Sequence, residues 1–131
     1  MPLTDYSVKS ILPNVTEVVG SAEFEAWFLA LTAADGRAVV RVVGLLEALG
    51  ATLGFPYSSA IQGSKFALRE LRVQSAGHPL RVIYAFDPKR QAVLLLGGDK
   101  TGDARFYEWI VPKAEEIWLQ YLEEQEDPSW R

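Results

Sequence analysis

The chain has no cysteine, a single histidine and a single methionine among its 131 residues. Without cysteine there are no disulfides and no thiolate metal sites, which fits a reducing compartment. One histidine, His78, excludes a histidine-based metal cluster. No apolar run approaches the roughly 20 residues that span a bilayer. The first ten residues, MPLTDYSVKS, hold no continuous hydrophobic segment and do not read as a secretory signal. Internal repeats and low-complexity segments are also lacking. These absences predict a cytoplasmic protein with no metal, no cofactor and no membrane contact. The length predicts one domain over residues 1–131, with enough apolar residues for a core and an acidic tail from about residue 123.

What is present is an asymmetry of charge. From Lys65 to Arg105 the chain carries eight basic residues against four acidic ones, so this segment is +4 and the rest must be −8 within the total of −4. Segregation of this kind places a positive patch on an acidic protein. The plain alternative is a set of solvated strand faces.

The apolar pattern divides the chain into helical and extended parts. Asn14–Val19 is short and β-branched, which predicts a strand. Gly20-Ser21 breaks it, and Ser21 is placed to cap a helix carrying Phe24, Trp27, Phe28 and Leu31 at helical spacing. Asp35-Gly36 reads as a turn. A second helix then carries Val39, Val42, Val43, Leu46 and Leu49, and Gly50, Gly54 and Pro56 end it. Three strand-like runs follow: Lys65–Val73, Leu80–Asp87 and Ala92–Gly98. Ser75-Ala76-Gly77 and Asp87-Pro88-Lys89 are too short to join parallel neighbours, so the runs form an antiparallel meander. Helical period returns with Phe106, Trp109 or Ile110, Ala114, Ile117 and Tyr121. Pro112 should interrupt or kink that helix unless it begins a fresh one. The order predicts an α+β fold: a helical hairpin near the N-terminus, a small antiparallel or mixed sheet with helices on one face, and a C-terminal helix.

The stretch Leu94–Tyr107, LLLGGDKTGDARFY, looks like a strand, a glycine-rich turn and a helix, the parts of a phosphate-binding loop. With Lys100 as the lysine of such a loop, glycine should stand at positions 94 and 99, which hold Leu94 and Asp99. A phosphate loop also belongs to a parallel unit, not to a meander. The DKTGD core resembles the aspartyl-phosphate site of P-type ion pumps, but the last threonine of that motif is Asp103 here and no membrane span is present. Gly97 and Gly98 read more simply as a strand end, with Asp103 capping the helix that follows.

Four pieces together carry a resemblance: L-R-E-L-R at Leu68–Arg72, R-x-x-Y at Arg81–Tyr84, D-P-K-R at Asp87–Arg90 and G-G-D-K-T-G-D at Gly97–Asp103. In this order and spacing, over roughly Gly63 to Tyr121, the chain resembles the RelE/ParE toxin superfamily, closest to its phage-derived HigB-like members. The two preceding helices, with FEAWFLAL and LLEALGATLGFP, also look like that family. The resemblance implies a RelE-like sheet with packed helices and the toxin of a type II toxin–antitoxin system. It implies a metal-independent messenger RNA endoribonuclease that inhibits translation, in some members on the ribosome. It implies a helix-turn-helix antitoxin as partner. Related members poison DNA gyrase, so a gyrase-directed or non-catalytic binding protein is the alternative.

RNA is cut without metal when its own 2′-hydroxyl attacks the adjacent phosphate. The enzyme aligns the hydroxyl, neutralises the phosphorane-like transition state and moves protons. Arginine and lysine supply the electrostatic part, and a tyrosine or histidine serves as acid, base or stacking surface. By resemblance, Arg81 is the phosphate-contacting strand arginine. Lys100 and Arg105 flank the strand-to-helix turn, and Tyr107 falls close to a C-terminal catalytic tyrosine. Arg72, Arg69, Lys65 and His78 form a candidate RNA-binding rim, although Arg72 is also placed to pair with Glu70 or Asp87. Trp27, Trp109 and Trp118 read as core or as antitoxin interface. Asp99 and Asp103 stand inside the expected patch and are candidates to hold Lys100 and Arg105.

Overall fold

The computed structural model of the protein describes residues 15–126. The first residue of the predicted Asn14–Val19 strand and the last five residues of the acidic tail lie outside the described part. The elements in chain order are β1 (Val18–Gly20), α1 (Ala22–Leu29), α2 (Ala33–Leu49), a 3-10 turn (Gly50–Thr52), β2 (Ser58–Ala60), β3 (Arg69–Ser75), β4 (His78–Phe86), β5 (Ala92–Asp99) and α3 (Phe106–Gln125). The five strands form one mixed sheet in the order β1-β5-β4-β3-β2, with β1 parallel to β5 and every other pair antiparallel. The class is α+β, with the expected helical pair before the meander and a helix after it.

The meander follows from its turns. Ala76 and Gly77 both take positive φ, 47° and 83°, and Ser75 pairs directly with His78. That is the two-residue turn whose twist matches antiparallel strands. Ser21 caps α1 as expected, accepting the Phe24 N–H at 3.0 Å. The same hydroxyl donates 2.6 Å to the Leu95 carbonyl. Leu95 has no opposite number, because Ile83 pairs with Leu96 and Tyr84 with Leu94. The bulge thus presents a carbonyl that the cap uses, tying α1 to β5.

Three expectations are corrected. The helices cover both faces of the sheet. Leu71, Val73, Leu80, Val82 and Tyr84 pack with Phe24, Val39 and Leu46 of α1 and α2. Ile83, Ala85, Val93 and Leu95 pack with Phe106, Ile110, Ala114 and Ile117 of α3. The pleat sends successive residues to opposite sides, so the continuous apolar runs in β4 and β5 need cover on both. Asp35-Gly36 is not a turn. Thr32 caps α2 by accepting the Asp35 N–H at 3.2 Å, and both residues lie in the first helical turn. Pro112 does not end the last helix, which runs unbroken from Phe106 to Gln125 with Pro112 on its exposed side.

Strand β2 is an element that its own sequence does not signal. Ser58, Ser59 and Ala60 extend the sheet by pairing with Leu71, Glu70 and Arg69. Among the described residues, no helix is long and apolar enough to cross a membrane.

Candidate functional site

Arg72 of β3 stands directly opposite Arg81 of β4. Strand alternation places Glu70, Arg72 and Arg81 on the α3 side of the sheet, beside Ile83. Two like charges directly opposite would repel. Glu70 sits between them and converts the repulsion into a network.

The Glu70 carboxylate accepts four approaches. Tyr107 Oη donates to Oε1 at 2.7 Å, Ser59 Oγ to Oε2 at 3.0 Å and Arg72 Nη1 to Oε2 at 3.3 Å. Arg81 Nε stands 3.5 Å from Oε1, an ion contact too long for a formed hydrogen bond. Arg81 Nε is therefore a buried donor without a hydrogen-bond partner, although Nη1 donates to the Leu80 carbonyl at 3.0 Å. Both Glu70 and Arg81 are buried, whereas the Arg72 side chain is 31 % exposed.

The strand-to-helix turn brings the remaining members. The Lys100 N–H donates to the Pro79 carbonyl at 2.9 Å, and its ammonium lies 5.4 Å from the centroid of the Tyr107 ring. Burial, then the hydrogen bond to the Glu70 carboxylate, pushes the Tyr107 phenol above its ordinary value; Arg81 opposes this only in part. Tyr107 is consequently a neutral hydrogen-bond donor at physiological pH.

The two aspartates of the turn shape the backbone and do not pair with Lys100. Asp99 accepts the Thr101 hydroxyl at 2.6 Å and the Thr101 N–H at 2.9 Å, and faces His78 Nδ1 at 3.3 Å. These bonds, Thr101 before His78, hold its carboxyl below the usual value. Asp103 accepts the Arg105 N–H at 3.0 Å and the Trp109 indole N–H at 2.9 Å. It prepares the helix start two residues ahead of the N-cap position, which Arg105 occupies.

Of the eight candidate residues, Arg72, Arg81, Lys100 and Tyr107 come together. The other four do not join them. Arg105 is 83 % exposed and pairs with Glu108 at 3.4 Å. Arg69 lies on the opposite face, donating to Ser58 Oγ at 3.1 Å below Tyr84. His78 shares the face of Leu80 and Val82, against Asp99. Lys65 precedes β3, its ammonium 5.8 Å from the Phe66 ring centroid. Trp118 is core, Trp27 packs against the α1/α2 side of the core, and Trp109 is exposed.

Glu70 stands in the sequence only as a neighbour for Arg72. Its i, i+2 spacing to Arg72 was the available signal for a shared face; its contacts with Arg81, Tyr107 and Ser59 required the register and the position of α3. A second buried carboxylate, Asp87, closes the far end of α3. It accepts Gln91 N–H at 2.8 Å, Gln91 Nε2 at 2.9 Å and Tyr121 Oη at 2.8 Å. Among the described residues, no three His, Asp or Glu side chains gather to hold a metal ion.

Residues 26–118 match the family model described as "Phage derived protein Gp49-like". The chain is 43 % identical over 102 residues to the candidate toxin HigB3 of Mycobacterium tuberculosis, spanning 74 % of this chain and 88 % of that protein. It is 33 % identical over 105 residues to the candidate toxin HigB2 of the same organism, spanning 78 % of this chain and 52 % of that protein. No solved structure matches it.

Proposed function

The chain belongs to the phage-derived Gp49-like family and is HigB-like, and from that premise we propose that it is the toxin of a type II toxin–antitoxin pair. Its action, in this proposal, is metal-independent cleavage of messenger RNA in the cytoplasm, with the ribosome as one setting, and a helix-turn-helix antitoxin neutralises it. The observation that carries the reading is the gathering of Arg72, Arg81 and Tyr107 around a single carboxylate, with Lys100 against the Tyr107 ring. Three cations against one anion leave a net positive cluster on an acidic protein, which suits a phosphate.

The chemistry then divides by residue. Arg72 and Lys100, at the accessible rim, hold the scissile phosphate and offset charge on the phosphorane. Tyr107 gives its hydrogen bond to a non-bridging phosphate oxygen, which leaves Glu70 Oε1 open to accept while Ser59 and Arg72 still hold Oε2. Glu70 takes the proton of the 2′-hydroxyl as that oxygen bonds to phosphorus. The bond from phosphorus to the 5′-oxygen breaks, and the departing oxygen takes a proton from the Lys100 ammonium. A 2′,3′-cyclic phosphate and a 5′-hydroxyl result. Arg81 is the positioning residue that keeps the Glu70 carboxylate aimed.

The burial of Glu70 and Arg81 against each other favours a second reading, in which the same network only braces a binding surface for gyrase or for the antitoxin. Induction of the protein alone separates the two. The nuclease reading expects growth arrest with falling messenger RNA, and relief of both by Lys100→Ala or Arg72→Ala. Arrest with undiminished messenger RNA would overturn it in favour of a gyrase-directed action. No arrest, together with a stable complex with a helix-turn-helix partner, would favour the binding protein.

A further inference from the structure

Arg72 belongs to two sites at once. One end of its guanidinium meets Glu70, and its Cζ lies 5.4 Å from the centroid of the Phe55 ring. Phe55 opens the segment that leads from the α2 end into β2, and it is 78 % exposed although Arg72 covers one face. Tyr57, two residues on, is 45 % exposed and is fixed by its backbone, whose carbonyl accepts the Arg72 N–H at 2.8 Å. These aromatics and Arg72 line a cavity of about 580 Å³ together with Arg41, Gln74 and Arg81 and an apolar floor of Val42, Leu45 and Pro56. The lining holds three arginines and no carboxylate, in a chain whose net charge is −4.

We infer that this cavity is a base-stacking subsite for single-stranded RNA, with Phe55 as its platform and Arg41 as a second phosphate contact. The inference rests on the ribonuclease reading and deepens it by placing a nucleotide next to the cleaved one. Large apolar rings left in solvent cost the fold free energy, and a ring with a cation over one face and an open opposite face is built to stack. Every base has a π-face, so such a platform grips RNA whatever its sequence, and an arginine beside it takes the phosphate. Continuity through Arg72 sets the register: a base on Phe55 places its phosphate within reach of the guanidinium that also faces Glu70. The absence of any carboxylate in the lining suits an anion of either kind, and the exposed Phe55 ring is what favours a nucleotide over the acidic segment of a protein partner.

The test uses the full chain and short single-stranded oligoribonucleotides with a 2′-deoxy substitution at the scissile position, so that binding is read without cleavage. Fluorescence anisotropy compares a normal oligonucleotide with one carrying abasic sites. The wild type is expected to bind the normal oligonucleotide about tenfold more tightly, and Phe55→Ala to lose that difference. Phe55→Trp is expected to restore it and to show indole quenching by the normal but not by the abasic oligonucleotide. Phe55 is exposed, so neither variant threatens the core. Wild-type binding with base preference that Phe55→Ala leaves intact would overturn the platform while sparing the ribonuclease reading. Failure of the wild type to bind either oligonucleotide would overturn the subsite, while the ribonuclease reading stands or falls on the growth-arrest and messenger RNA measurement.

Discussion

Tyr107 Oη donates 2.7 Å to Glu70 Oε1, joining α3 to a β3 residue 37 positions earlier. This bond makes the carboxylate the point where β3, β4, the β2 edge and α3 meet, because Arg81 and Ser59 approach the same group. A buried charge shared in this way ties folding to the candidate site.

The network is asymmetric, and its asymmetry is measurable. Removing Glu70 leaves Arg81 buried with no opposite charge, whereas removing Arg81 leaves Glu70 with Tyr107, Ser59 and Arg72. Glu70→Leu is therefore expected to cost about 3–5 kcal/mol, the range for breaking a buried pair from one side. Arg81→Met is expected to cost distinctly less. Urea denaturation with an unchanged slope decides it through the two midpoints. Equal losses would mean that Glu70 is not the hub.

Alkaline pH loosens this network in a definite sense. The Tyr107 phenol is raised above 10.0 in the folded chain by burial first and Glu70 second. A raised folded value contributes stability that is fully present below pH 10 and drains as pH rises through the folded value. Tyrosinate absorbance should show two late-titrating phenols, one of which disappears in Tyr107→Phe. Glu70→Gln should bring that phenol to lower pH. An unchanged late fraction in Tyr107→Phe would assign it to Tyr121 alone, which burial and then Asp87 raise.

Asp99 behaves in the opposite sense. Its folded value lies below the ordinary 3.8, chiefly through the Thr101 hydroxyl. Its contribution is present above that value and is lost as pH falls toward the depressed folded one. The group is 46 % exposed, so the effect on stability is small. The sensitive measurement is the carboxyl titration by NMR. Thr101→Val is expected to move Asp99 upward toward 3.8; an unmoved midpoint would leave His78 as the dominant partner.

Local chemistry in the sequence reached the turns, the Ser21 cap and the placing of Arg72 and Arg81 on strands. Other features depend on partners remote in the chain. Ser58-Ser59-Ala60 has little strand character of its own and becomes β2 because β3 offers an unpaired edge. Thr32 takes the helix start, so Asp35-Gly36 is wound into α2 despite its turn-like composition. Arg105 was grouped with Lys100 by position, yet Asp103 holds the Arg105 backbone while its side chain points to Glu108 and solvent. Glu70 was visible as a carboxylate between arginines, but only the cross-strand register and the position of α3 make it shared.

Gly97 and Gly98, the pair that suggested a phosphate loop, are explained by close packing on both faces of β5. A Cβ on Gly97 would fall inside the Trp27 indole of α1. One on Gly98 would stand 2.8 Å from Phe106 Cε1 and 3.2 Å from Ile110 Cδ1 of α3. Neither takes a positive φ, so the requirement is for space alone. Gly97→Ala and Gly98→Ala are each expected to lose about 1–3 kcal/mol, the cost of overpacking a filled core. Gly44 gives the control: it lies within α2, and a Cβ there would meet nothing within 4 Å. Gly44→Ala is expected to gain about 0.5–1 kcal/mol from the lower entropy of the unfolded chain. Thermal and urea unfolding of the three variants compare these directly. Trimming the ring with Trp27→Leu should recover part of the loss in Gly97→Ala and none in Gly98→Ala, since the indole touches only one face. Recovery in both, or in neither, would show that the glycines are required for something other than the helices packed against them.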